Sequence, residues 1–133
     1  MKVGYRHIDT AMKYDNEEVV GQACANAIKK GAMKRSDLFI TTKIWHFDYD
    51  NPEKALRKSL KKLKMDYVDL YLIHWPNNYC YEPKRTPMHI LWSKMETLVQ
   101  KGLTRAIGLS NFNTQLVGDI LTYCKIRPVA NQI

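Results

Sequence analysis

Apolar positions along this chain switch repeatedly between two periods. Short runs rich in β-forming residues read as strands: Tyr5 to Asp9, Leu38 to Lys43, Val68 to His74, Thr104 to Leu109, and a last one begun at Pro128 and continuing to Ile133. Helical spacing lies between them. Val19 or Val20, Ala23, Ala27 and Ile28 predict a helix to about Lys30, with Gly31 as its left-handed stop. A loop carrying Tyr14 precedes it, with Asp15 or Asn16 at its cap and Glu17 and Glu18 in its first turn, where the helix dipole favours negative charge. Asn51-Pro52-Glu53 marks a second helix start: a cap, a proline at the first helical position and an acid behind it. Leu56, Leu60 and Leu63 form its apolar stripe, and it ends near Lys64. Thr86-Pro87 opens a third helix, with Ile90, Leu91, Met95, Leu98 and Val99 inward and Gly102 as its stop. Asn113 caps a fourth, with Leu116, Ile120, Leu121 and Cys124 inward. Asn77 to Arg85 is polar, carries Pro83 and reads as a loop.

Strands alternating with helices through short connections make a parallel sheet with helices packed outside it. No G-x-G-x-x-G follows the first strand, which disfavours a Rossmann dinucleotide fold. The alternative is a (β/α) barrel of TIM type, where function gathers at the carboxyl ends of the strands. The five strands end in Asp9, Lys43, His74, Ser110-Asn111 and Asn131-Gln132, so each delivers a polar or charged group to one rim.

Composition narrows the classes. At 133 residues with 45% hydrophobic and 26% charged positions, the chain is one globular domain or part of one. No apolar run is long enough to span a bilayer and no signal peptide is visible, so a cytoplasmic protein without a membrane partner is expected. Cys24, Cys80 and Cys124 show no paired spacing and read as reduced thiols, Cys24 and Cys124 as packing residues. The net charge of +8 raises the question of nucleic acid. Yet the densest basic group (Lys54, Arg57, Lys58, Lys61, Lys62, Lys64) shares a helix with the leucine stripe and reads as its solvated face, and no recognition motif is present. No nucleic-acid partner is expected.

Two motifs carry a resemblance. Gly4 to Gly21, GYRHIDTAMKYDNEEVVG, and Leu103 to Phe112, with IGLSNF at its heart, are similar to the two signatures of the aldo-keto reductase family. Thr42-Lys43-Ile44-Trp45, Leu72-Ile73-His74-Trp75-Pro76 and Val129-Ala130-Asn131-Gln132-Ile133 resemble further family segments in the expected order. The resemblance implies an NADPH-dependent carbonyl reductase on a (β/α)₈ barrel. It carries the family's catalytic tetrad onto Asp9, Tyr14, Lys43 and His74. It places Ser110, Asn111 and Gln132 at the nicotinamide carboxamide, with Asp9 also near the cofactor ribose, and it aligns Trp45 and Trp75 with aromatic positions of the substrate pocket. His7 has no catalytic counterpart and is assigned a structural role.

The side chains suit that chemistry. Reducing an aldehyde or ketone takes a hydride, which the cofactor supplies, and a proton for the developing alkoxide. A free phenol, with a pKa of about 10, is a weak acid at neutral pH, and a nearby ammonium favours its ionised form. Lys43 is placed to act on Tyr14 in this way, with Asp9 holding the lysine, and a neutral His74 would orient the substrate carbonyl. Singly, each residue has a structural reading: a bridging aspartate, a surface tyrosine, a solvated lysine, a core histidine. Together, in this order, at strand ends and within a motif that resembles the family's, they favour the chemical one. For Trp45 and Trp75, rim packing and substrate contact stay equally open, and Ser110-Asn111 also serves as a turn before the next helix.

A closed barrel of this type has eight strands, and five are recognisable here. Relative to the family pattern the first strand and the last two are absent, and with them the segments for the pyrophosphate and the adenosine 2′-phosphate. Taken as written, residues 1–133 are expected to be a partial reductase domain with impaired activity that self-associates through open strand edges. A non-catalytic interaction module is the alternative. The expected small-molecule partner is a carbonyl compound.

Overall fold

A computed structural model describes residues 3–76 and 86–133. The expected loop Asn77 to Arg85, with Cys80, lies outside the described residues. Five strands form one sheet: β1 (His7–Asp9), β2 (Phe39–Ile44), β3 (Val68–Ile73), β4 (Thr104–Ser110) and β5 (Asn131–Gln132). They pair in sequence order and every pairing is parallel. Four helices connect them: α1 (Glu17–Lys29), α2 (Pro52–Leu63), α3 (Met88–Gln100) and α4 (Thr114–Tyr123). The result is a curled half-barrel, an incomplete (β/α) barrel. The curl shows in one contact: Gln132 Nε2 on β5 donates to Asp9 Oδ1 on β1 at 3.1 Å, although three strands separate them in the sheet.

The central strand explains the layering. All six residues of β3 are buried, so it reads as a continuous apolar run. Val68, Tyr71 and Ile73 join the main core, with Leu56, Leu63, Leu91, Trp92 and Met95 from the helices. Leu70 and Leu72 are buried on the opposite, concave face. There a Cβ at Gly108 would lie 2.8 Å from both Leu72 Cδ2 and the Ala130 carbonyl, so glycine admits the close approach of β5. Outside the sheet, Gly21 lets α1 lie on the end of α2, since a Cβ there would come within 2.6 Å of the Leu63 backbone.

Local chemistry sets the helix ends. The side chain of Asn51 accepts from Lys54 N at 3.1 Å with Pro52 in the first turn, and Asn113 accepts from Leu116 N at 2.9 Å. Gly31 and Gly102 follow α1 and α3 with φ of 68° and 69°, where a side chain would be strained. Lys64 ends α2 in the same region at φ 56°.

Some expectations need correction. Tyr5 precedes β1 and is exposed, and Tyr14 closes a one-turn 3-10 helix (Met12–Tyr14) instead of lying in an open loop. Asn16 is the cap residue of α1, but its side chain accepts the Thr10 hydroxyl at 2.5 Å and leaves the backbone uncapped. Val19 and Ala23 face outward; Glu17, Gly21 and Cys24 are the buried positions of α1. Ile90 on α3 and Leu116 and Leu121 on α4 are about two-fifths exposed; Trp92 takes an inward place on α3, while Ile120 is buried on α4 as expected. Each of these helices has more apolar residues than its contact face can hold, so periodicity alone misassigns the flanking ones.

Candidate active site

Parallel strands of one sheet bring their carboxyl ends to one rim, and this rim collects the polar residues. Lys43, the fifth residue of β2, is fully buried, and its ammonium has three acceptors. They are Asp9 Oδ2 at 2.6 Å, the Thr10 carbonyl at 3.1 Å and Tyr14 Oη at 3.3 Å. An ammonium has three protons, so its donors are matched. Asp9 ends β1; its second oxygen accepts from Gln132. Both oxygens of this carboxylate are therefore held, one by a charge-assisted bond.

Tyr14 reaches the same ammonium from the 3-10 turn, and its side chain remains about half exposed. Its phenol oxygen accepts from Lys43, which leaves the phenol's own proton to point elsewhere. The turn is anchored at both ends. Thr10 N donates to the Thr41 carbonyl, and Glu17, three residues after Tyr14, accepts from Thr42 Oγ1 at 2.7 Å. Glu17 is 1% exposed, so this carboxylate is an internal tie between α1 and β2. Read only as a dipole-favoured acid of the first turn, it hides in the sequence; spacing carries no signal that it turns inward.

His74 follows β3 and stands between two rings. Its centroid lies 5.5 Å from that of Tyr14 and 5.1 Å from that of Trp45, both edge to face. Burial pushes the imidazole down to about 4 and the Lys43 charge adds to this, against an opposing pull from Asp9. The ring is thus neutral at neutral pH. Its Nδ1 is buried without a hydrogen-bond partner, and so is Trp45 Nε1. Trp75 comes next, about one-third exposed. Its backbone is fixed by Tyr49, whose hydroxyl donates to the Trp75 carbonyl at 2.6 Å and accepts from its N–H at 3.4 Å. Tyr49 is 1% exposed, and burial holds its phenol well above the usual range. Nothing in the sequence marked it as a support of the rim.

Ser110, Asn111 and Gln132 complete the rim. Ser110 Oγ donates to the Gln132 carbonyl at 2.9 Å, and Asn111 Nδ2 donates to the His74 carbonyl at 2.9 Å and to Ser110 Oγ at 3.1 Å. Asn111 adopts φ 63°, which turns its side chain back toward β3, and its N–H donates to the Gln132 carbonyl at 2.8 Å. Turn and site duties coincide at this residue. A hydroxyl and two carboxamides beside the Asp9 carboxylate form a mixed donor and acceptor set, which fits a nicotinamide carboxamide. Among the described residues the rim offers no comparable set for a pyrophosphate or a ribose phosphate.

The structure thus brings Asp9, Tyr14, Lys43, His74 and Trp45 to one mouth, with Ser110, Asn111 and Gln132 at its side. A buried ammonium on a half-exposed phenol, at the carboxyl end of a parallel half-barrel, defines the class: an α/β protein of the barrel type with a polar site on its carboxyl-end rim. Over residues 1–133 the sequence matches the aldo/keto reductase family, and the chain belongs to it. It is 47% identical to the methylglyoxal reductase DkgA of Yersinia pestis over 133 residues, which are 100% of this chain and 45% of that protein. It is 43% identical to an aldose reductase of Encephalitozoon cuniculi, covering 100% of this chain and 48% of that one. Among solved structures, a Bombyx mori aldo-keto reductase in complex with NADP superposes with a TM-score of 0.92 at 45% identity, over 99% of this chain and 44% of that one. The chain spans about half the length of the relatives it matches. Among the described residues, no helix is long and apolar enough to cross a membrane, and no group of three or more His, Cys, Asp or Glu is arranged to hold a metal ion.

Proposed function

We propose that this chain carries the proton-delivering site of an NADPH-dependent reductase of aldehydes or ketones. The observation that carries the reading is the Lys43 ammonium on the Tyr14 phenol oxygen at 3.3 Å. NADPH, when bound, would supply the hydride; Ser110, Asn111 and Gln132 are the residues that would hold its carboxamide, and Asp9 would contribute to holding the cofactor. Tyr14 gives its proton to the carbonyl oxygen as that oxygen becomes an alkoxide. Lys43 stabilises the phenolate left behind, Asp9 keeps the ammonium in place, and solvent reprotonates the half-exposed phenol. His74, neutral above about pH 4, donates one N–H to the substrate oxygen and fixes its direction. Trp45 and Trp75 wall the pocket. General acid catalysis of this kind contributes roughly 10² to 10⁴ in rate.

The NADP-bound relative supports the choice of cofactor. What favours catalysis over a non-catalytic interaction module is the cost of the arrangement: a buried ammonium and a neutralised imidazole stabilise no surface. The test is turnover in a closed barrel, with residues 1–133 replacing the matching stretch of the Yersinia protein. NADPH-dependent reduction of benzaldehyde is expected, and Tyr14→Phe should lower it by about 10² to 10⁴. Undiminished turnover by Tyr14→Phe would remove the assignment.

A further inference from the structure

Lys13 is the residue before Tyr14, in the same 3-10 turn, and is exposed. Its ammonium sits 5.3 Å from the centroid of the Trp45 ring, within cation–π range. That ring in turn contacts His74 at 5.1 Å. A fixed positive charge therefore stands on the wall of the mouth, one aromatic ring away from the imidazole that faces the reacting carbonyl.

The nearby carboxylates are turned elsewhere. Asp9 is taken up by Lys43 and Gln132. Asp15, with a side chain 93% exposed, points to Lys62 on α2 at 3.5 Å. Among the described residues no carboxylate lies in ion-pair distance of Lys13. His46, tilted against Trp45 with ring centroids 4.6 Å apart, is lowered by burial and then by the Lys13 charge, so it feels the lysine as a neighbour. Among the described residues, Lys13 is left as a cation without a carboxylate partner at the mouth.

We propose that Lys13 selects carbonyl substrates bearing an anionic group, such as a carboxylate, about one aromatic ring from the carbonyl. This rests on the reductase reading and refines it. A neutral aldehyde binds through Trp45, Trp75 and His74 alone; an anionic one gains an ion pair at the rim. Because Lys13 is exposed, the gain is modest and screened by salt.

The probes are 4-carboxybenzaldehyde and its neutral isostere 4-formylbenzamide. Binding is followed by the indole resonances of ¹⁵N-tryptophan-labelled protein, both in the 133-residue chain and in the chimeric barrel. The carboxylate should bind roughly threefold to tenfold more tightly at low ionic strength, an advantage that shrinks at about 0.5 M salt. Lys13→Met should abolish that advantage and leave the amide's affinity unchanged, and Lys13→Arg should retain it. Equal affinities in the unmutated protein, or a ratio that survives Lys13→Met, would overturn the proposal, as would the absence of binding by either probe. Turnover of benzaldehyde by the chimera is scored separately. Its failure would count against the reductase reading, while the binding ratio still decides the role of Lys13.

Discussion

Two ion pairs, each with one buried partner, stand at opposite ends of the same sheet, and they are built in opposite senses. At the carboxyl end the buried partner is the cation: Lys43 is 0% exposed and Asp9 is 34% exposed. At the amino end it is the anion: Asp69, the second residue of β3, is 1% exposed and Arg35 is 20% exposed. Asp69 Oδ2 accepts from Arg35 Nη2 at 2.8 Å and from Ile40 N at 2.9 Å, while Arg105 pairs with Oδ1 at 3.3 Å. Arg35 also donates to the Leu38 and Tyr67 carbonyls, and both guanidinium groups lie over the Tyr67 ring, at 4.0 and 4.7 Å. The lower pair ties three segments together through planar guanidinium groups with several donors, as a structural clamp should, although Asp69 Oδ1 has only the longer Arg105 ion pair and Arg35 Nε no acceptor. The upper pair spends one ammonium proton on a phenol that faces solvent. One end of the sheet uses its charges to hold three segments together; the other, in the function proposed above, holds a proton donor ready.

That contrast can be broken by exchanging the roles. Replacing the upper cation, Lys43→Met, should lower reductase turnover in the chimeric barrel by about 10² to 10⁴. Its stability should change by no more than about 1 kcal/mol, because the remaining Asp9 reaches water and keeps Gln132. Paired rate and urea measurements check this; a collapse of stability with the activity would make Lys43 structural. The lower clamp should behave the other way. Asp69→Ala leaves a guanidinium and the Ile40 N–H without their acceptor, and a loss of about 3 kcal/mol in urea unfolding is expected with turnover largely preserved. If turnover fell as far as in Lys43→Met, the two ends would not be separable.

A smaller effect sharpens the same point through pH. His74 is held down to about 4 in the fold, below the ordinary value of 6.5. The unfolded chain therefore takes up its proton first as pH falls. The contribution of this residue is fully present above about pH 6.5 and is lost as pH drops toward about 4, on the order of 3 kcal/mol in all. Unfolding midpoints at about pH 7 and pH 4.5 should differ more for the unmutated chain than for His74→Gln. Equal differences would mean that the imidazole is already solvated at the rim.

Much of this architecture was readable in order along the chain. Strand runs, proline and asparagine starts and glycine stops located five strands and four helices, because each signal is a local property of backbone and cap. The polar strand ends pointed to one rim, because parallel strands share their direction. Less legible were the faces of α1, α3 and α4. Leu116, Leu121 and Ile90 carry the right hydrophobicity at the right spacing and still lie about two-fifths exposed, since which stripe is buried depends on what packs against it. The supports of the site were hidden for a related reason. Glu17 and Tyr49 are polar residues whose partners lie 25 and 26 positions away, and no periodicity encodes such a pairing.

Sequence by itself determined the element order, the parallel alternation and the side chains available for chemistry, since these follow from residue type, period and turn. Only the tertiary structure decided that Lys43 Nζ divides its three protons among Asp9, Thr10 and Tyr14, and that β1 and β5 curl close enough for Gln132 to touch Asp9. It also decided that Lys13 lies over the Trp45 ring at the mouth. Those outcomes depend on distances across strands and on burial, where an ångström of approach or a lost shell of water changes an interaction by more than any local preference can.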